Sequence, residues 1–315
     1  GDYDEEIESL GGRVVRLTSG NWLTRSLAMY RLMRNGPWVA VHAHTNFSNM
    51  FPLLAAAAAQ VPVRVSHAHV TGYMHGSPVK SVYQAVAPWV IRKASTHRLA
   101  CGVAAARLLY RADEAVTLIP NAIATEGFML DRDAQSIHLR HELGLAPDTL
   151  ILLQVGRLDP VKNQLFTLEI VRELRARGRD CVVLMAGRGA LESALRARIA
   201  ECGLDTQVRL LGIRDDVPRL LNGADVFMLP SLFEGFPVVL VEAQAAGIPC
   251  VVSDRVSAEV DLGLGLLQFL AVPDGATLAD CHAAASAWAD TLEQVDRVPI
   301  PARADRARVL QASGY

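Results

Sequence analysis

Between Ser9 and Ala112 the chain has no aspartate or glutamate, while twelve lysines and arginines fall in that stretch. The whole chain still carries a net charge of −2, so the remainder is net acidic. A near-neutral total and the lack of any nucleic-acid motif argue against nucleic acid as a partner. The basic half also contains "YQAVAPWVIRKA" (83–94), which joins tyrosine and tryptophan to a basic end. It is expected to meet an anionic membrane or a phosphate-rich substrate. Long apolar runs are missing too. "FPLLAAAAAQVPV" falls short of the roughly 18 residues a membrane span needs, and it reads as a buried helix leading into a strand. The five cysteines are odd in number and lack C-x-x-C spacing, which excludes a disulfide frame and a cysteine zinc site. They are expected to be reduced core residues of a cytoplasmic protein. No secretory signal is recognisable, and a chain opening on Gly1 is expected to be a fragment.

What is present is apolar and alternating. The 315 residues are 51% hydrophobic and 20% charged, the profile of an α/β enzyme. In the second half, "LILLQVGR" (150–157), "CVVLMAG" (181–187), "VRLLG" (208–212), "ADVFMLPS" (224–231), "PCVVSD" (249–254) and "LLQFLAV" (266–272) alternate with amphipathic helical runs. Continuous apolar strands of this kind predict a parallel sheet covered on both faces. In the first half, strands are expected at 13–18, 38–44, 61–67, 97–102 and 115–120. The polar segment 131–148 reads as a linker with a short helix. The expectation is therefore two Rossmann-like domains, 1–130 and 149–315, with a linker at 131–148 and parallel sheets facing across a cleft. Ligands of such sheets bind at the carboxyl ends of the strands.

The segment "PSLFEGFPVVLVEAQAAGIPCVVSD" (230–254) carries two acids in an apolar context. Gly235 frees the turn, and Pro237 suits the first position of a helix that ends at Gly247. Backbone N–H groups near 235–239 would then face outward as an anion site. Glu242 has Val238, Val239, Ala245 and Ala246 as helical neighbours, where a carboxylate is costly without a partner. It reads either as half of a buried salt bridge or as an acceptor for ligand hydroxyls such as those of a ribose. In "VGRLDPVKN" (155–163), Arg157 follows a strand and Lys162 starts a helix. Both cations are expected to face the cleft and to neutralise a diphosphate.

Together "GRLDPVKN" and the E-x7-E segment resemble the retaining glycosyltransferases of family 4, which have the GT-B fold. "VHAHTNFSN", "VPVRVSHAHVTG", "THRLACG" and "LIPNAI" are similar to its bacterial exopolysaccharide, or capsule-type, branch. The resemblance implies transfer of a sugar from a UDP- or GDP-sugar to a lipid-linked saccharide, at the inner face of the membrane. It implies no cofactor and no essential metal. It puts Arg157 and Lys162 on the donor diphosphate, Glu234 on the donor sugar as a catalytic residue and Glu242 on the ribose. Gly156, Gly235, Phe236 and Pro237 join them as donor-binding positions. The family's sugar-side histidine matches His67 best, again as a catalytic residue. His69 and His44 are further candidates for the donor sugar or the acceptor.

Other features weigh on this expectation. The two His-x-His strings could bind zinc, but no cysteine or carboxylate lies near. Packing is the expected role of His42 and His97, and no metal site is expected. Asp2-Tyr3-Asp4 and Asp131-Arg132-Asp133 follow no apolar strand and read as solvated loops. The family's opening strand and glycine-rich turn are not found at Gly11–Gly12, and "PNA" replaces its common "PNG". Truncation at both ends is expected. Two other functions are compatible with these residues. One is a sugar-nucleotide 2-epimerase of the same fold; the other is a non-catalytic nucleotide-binding or membrane-docking protein.

Overall fold

The computed structural model describes residues 3–17, 20–70, 72, 78–273, 278–295 and 298–315, the side chains of 78, 79, 278 and 279 excepted. The chain forms two compact units that divide between Ile119 and Pro120, with Val70 and Gly72 grouped with the second.

In the first unit, α1 (Asp4–Ser9) and α2 (Trp22–Arg34) precede β1 (Ala40–Ala43), α3 (Met50–Ala58), β2 (Val63–Ala68), α4 (Pro78–Ala94), β3 (His97–Ala100), α5 (Val103–Leu109) and β4 (Thr117–Leu118). The sheet runs β1-β2-β3-β4, with every pair parallel. Residues 13–17, expected as a strand, form none. Among the described residues they pair with no strand, and strand preference without pairing is weak. On α4, Val82, Val86 and Trp89 are exposed at helical spacing beside Arg92 and Lys93.

In the second unit, α6 (Arg132–Leu143) is followed by β5 (Leu150–Val155), α7 (Gln164–Ala176), β6 (Cys181–Ala186), α8 (Glu192–Glu201) and β7 (Val208–Gly212). Then come α9 (Val217–Gly223), β8 (Val226–Leu229), α10 (Val238–Ala246), β9 (Cys250–Ser253), β10 (Leu267–Leu270), α11 (Leu278–Leu292) and α12 (Arg303–Ala312). The all-parallel sheet runs β10-β9-β8-β5-β6-β7. Alternate strand residues feed two cores. Leu150, Leu152, Val183, Met185, Val226 and Met228 pack with α7 and Trp288 of α11. Ile151, Leu153, Val182, Leu184, Phe227 and Leu229 pack with α9 and α10.

Residues 131–148, expected as a linker, belong to this second unit. Asp131 caps α6 by accepting from the Ala134 N–H, and Leu139 is buried in the core. Arg132 donates to the carbonyls of Leu221 and Ala224, the end of α9. Asp131 is therefore a helix cap and Asp4 lies in α1, paired with Arg16; Asp2 falls outside the described residues.

Candidate nucleotide-sugar site

Counting strands from β5, the second sheet has the order 3-2-1-4-5-6, which reverses direction between β5 and β8. Helices on either side of that point lie on opposite faces, leaving a crevice at the strands' carboxyl ends. Gly156 and Arg157 continue from β5, and the loop to Glu234 continues from β8.

A cavity of about 660 Å³ opens there, lined by Gly156, Lys162, Glu234, Phe236, Pro237 and Glu242 among others. Six expected donor-binding or catalytic residues therefore share one cavity. Val238 and Val239, from the expected anion site at 235–239, also line it, as do Phe128, Val155, Asp215, Val217 and Pro218, which were not anticipated. Asp215 carried a usable signal, because it follows β7 at a strand's carboxyl end.

Lys162 is held by several backbone anchors. Asp159 accepts from the N–H groups of Val161 and Lys162 at 3.1 and 3.2 Å, forming a single 3-10 turn, Pro160–Lys162. Buried Gln154 donates to the Lys162 carbonyl at 2.9 Å and accepts from the Thr167 hydroxyl. The Leu232 N–H bonds the Val161 carbonyl at 2.8 Å, and Asn163 donates to the Pro230 carbonyl. The loops after β5 and β8 are thus tied together. This brings Lys162 Nζ to 2.7 Å from Glu234 Oε1, with the side chains only 16% and 13% exposed. Gly187, after β6, has φ +141°, and a Cβ there would lie 2.0 Å from the Gly156 carbonyl oxygen. The close approach needs glycine, a requirement the sequence signalled only as "AGRG".

Two expected residues are placed differently. Arg157 does not line the cavity: its side chain is 83% exposed and pairs with Asp159 at 3.2 Å. Pro237 caps α10 instead of occupying its first turn, although Gly247 closes the helix in the left-handed region as expected. Gly235 lies in the turn but not in the lining.

Glu242 sits on α10, half-buried, with no hydrogen bond or ion pair among the described residues. Burial holds its carboxyl pKa above the ordinary glutamate range. The salt-bridge reading of this residue is therefore not realised. The lining holds Asp215, Glu234 and Glu242 against Lys162 alone, so it is short of positive charge for a diphosphate.

The histidines lie in the first unit. His42, His44, His67 and His69 cluster at the carboxyl ends of β1 and β2, with His42–His44 and His67–His69 ring centroids 4.0 Å apart. His42 was expected to pack, yet it is exposed, as is His97, which meets the Thr96 hydroxyl. His75 lies outside the described residues.

A doubly wound sheet with a cavity at its switch point has the architecture in which α/β proteins place a ligand. The family of group 1 glycosyl transferases matches residues 136–262. The chain is 37% identical over 323 residues to the putative glycosyltransferase EpsF of Bacillus subtilis (strain 168), spanning 99% of this chain and 81% of that protein. It is 30% identical over 238 residues to the UDP-Gal:alpha-D-GlcNAc-diphosphoundecaprenol alpha-1,3-galactosyltransferase of Escherichia coli, spanning 72% of this chain and 61% of that enzyme. Among solved structures, HepE of Anabaena in complex with UDP-glucose superposes with a TM-score of 0.71. That match covers 99% of this chain and 89% of HepE, at 19% identity. The chain belongs to the group 1 glycosyltransferases and has the GT-B α/β fold.

Proposed function

We propose that the protein is a retaining glycosyltransferase. It takes a sugar from a nucleoside-diphosphate sugar, a UDP-sugar first and a GDP-sugar second, and passes it to a lipid-linked saccharide in exopolysaccharide or capsule synthesis. The observation that carries this reading is the unpartnered, half-buried Glu242 in the same cavity as the Lys162–Glu234 pair. A buried carboxylate without a partner stabilises nothing in the free protein; two ribose hydroxyls would satisfy it. The names of the relatives support the chemistry. HepE was solved with UDP-glucose, and the Escherichia coli relative is named for a UDP-Gal donor and a diphosphoundecaprenol acceptor.

In this reading the diphosphate sits against Lys162, Gly156 and the amino terminus of α10, and Glu242 takes the ribose. Glu234 leaves Lys162 for the sugar. The lining's shortage of positive charge is met by Arg157. Its exposed pair with Asp159 is worth at most about 1 kcal/mol, so turning inward costs little. The bond from the anomeric carbon to the diphosphate oxygen breaks, and the acceptor hydroxyl forms the new bond on the same face. Its proton passes to the leaving diphosphate, whose growing charge Lys162, Arg157 and the α10 N–H groups stabilise. The role of His67 at the sugar, and of His44 and His69 at sugar or acceptor, rests on the resemblance.

No helix among the described residues is long and apolar enough to cross a membrane. Peripheral binding at the cytoplasmic face is proposed from α4. Val82, Val86 and Trp89 (57% exposed) form an apolar stripe beside Arg92 and Lys93, in a stretch without acids.

Product analysis tests the reaction. With a lipid-linked saccharide present, nucleoside diphosphate and an extended acceptor appear together in equal amounts. Epimerised donor without any acceptor, or nucleotide binding without turnover, would contradict the proposal.

A further inference from the structure

His-x-His runs across the carboxyl end of each of β1 and β2, with His42 and His67 inside the strands and His44 and His69 one residue beyond them, and the continued two-residue period puts both histidines of each pair on one side of the sheet. The parallel register pairs Ala43 with Ser66, which sets His44 opposite His67. All four rings therefore gather on one face. His42 and His67 stack with centroids 5.3 Å apart and planes 5° apart, while His44 and His67 are 5.1 Å apart. One ring nitrogen from each of His42, His44 and His67 lies within 4.8 Å of the other two. His44 Nδ1 and His69 Nε2 are 2.8 Å apart and share a hydrogen bond.

We propose that His42, His44 and His67 form a binding site for a borderline transition-metal ion of the Zn²⁺ class, with His69 holding His44 in place.

An independent observation points to a ligand. His67 is 6% exposed, yet neither of its ring nitrogens has a hydrogen-bond partner. Buried polar atoms are rarely left so, because the loss of water has to be offset by another bond. A metal ion would supply it. The donors fit the metal class: the three side chains are imidazoles, which suit zinc, nickel and copper and not calcium or magnesium. Tetrahedral zinc with bonds near 2.0–2.1 Å needs nitrogens about 3.4 Å apart, so from separations of up to 4.8 Å the rings have to close by up to about 1.4 Å. His42 and His44 are exposed, which gives an ion a way in and leaves a coordination position open to solvent. The three ligands fall within residues 42–67 of the first unit, and two of them, His44 and His67, are residues that the resemblance puts at the sugar or acceptor, so a bound ion would compete with that role.

The test is a Co²⁺ titration of the chelator-stripped full chain, followed by visible absorption and displaced by Zn²⁺. One ion per chain, micromolar or tighter, is expected. His42→Ala and His44→Ala should each weaken it at least tenfold with unchanged circular dichroism. The double variant His138→Ala/His141→Ala removes the other closely spaced histidines, those on α6, and should bind as the parent does. No binding at a tenfold excess of ion over micromolar protein would overturn the site. So would an affinity insensitive to His42 and His44, or one lost in the α6 variant. None of these readouts depends on sugar transfer, so the outcome is independent of the proposed reaction.

Discussion

Replacing Glu242 by glutamine should separate stability from binding. The carboxylate is half-buried, and burial raises its pKa. The folded protein therefore holds a proton on this group at pH values where the unfolded chain has released it. Its charged form costs stability at neutral pH. That cost declines as the pH falls below the raised value and is gone once the pH is below the ordinary glutamate value of the unfolded chain. Glu242→Gln removes the charge and keeps the shape, so the ligand-free variant should melt at or above the parent's temperature at neutral pH. The difference should shrink on acidification. Nucleotide affinity should move the other way. Two charge-assisted hydrogen bonds to ribose hydroxyls become neutral ones, a loss of about 1–3 kcal/mol, or roughly 5- to 150-fold in Kd. Thermal unfolding without ligand and calorimetric titration with UDP and GDP read the two effects separately. A variant that is less stable than the parent yet binds nucleotide equally well would show that Glu242 has a structural role, and the ribose assignment would fail.

Arg157→Ala should leave the melting temperature within about 1–2 °C, as expected for an exposed pair, but weaken nucleoside-diphosphate binding at least tenfold. Equal affinity in calorimetry would mean that the arginine stays in solvent. Gly187→Ala forces a Cβ to 2.0 Å from the Gly156 carbonyl at φ +141°, and should cost about 2 kcal/mol or more in urea unfolding. Gly178→Ala, also at positive φ but in open space, should cost less; equal costs would remove the close approach as the cause. The chain should bind anionic vesicles, detach at high salt and bind more weakly as Trp89→Ser. Co-sedimentation that ignores salt would count against the α4 face.

Much of the second unit was legible because continuous apolar runs mark buried parallel strands. "LILLQV" and "CVVLMA" became β5 and β6 almost residue for residue. Their order in the sheet was not legible, since lateral pairing is decided by tertiary contacts. Segment 131–148 looked like a linker because its charges dominate its composition. Arg132 and Arg140 in fact spend their donors on α9 carbonyls, the Thr149 carbonyl and Asp225, while Leu139 enters the core. At the site, Lys162, Glu234 and Glu242 were found as chemistry-bearing types in an apolar setting. The 2.7 Å ion pair depends on the hydrogen bonds between the loops after β5 and β8, which no local pattern encodes. Arg157 pairs with Asp159, two residues along the chain, and stays exposed, a placement that its position after a strand does not reveal. The two His-x-His strings fixed which side of each strand the rings occupy. Only the parallel register set His44 against His67.

The central claim is that the cavity at the β5–β8 switch point binds a nucleoside diphosphate through Lys162 and Glu242. Calorimetric titration of the full chain with UDP and then GDP, in the presence of a metal chelator, tests it most directly. The account predicts one-to-one micromolar binding of one nucleotide, lost at least tenfold in Lys162→Ala. No binding of either nucleotide at millimolar concentration, or binding that Lys162→Ala leaves unchanged, would contradict it.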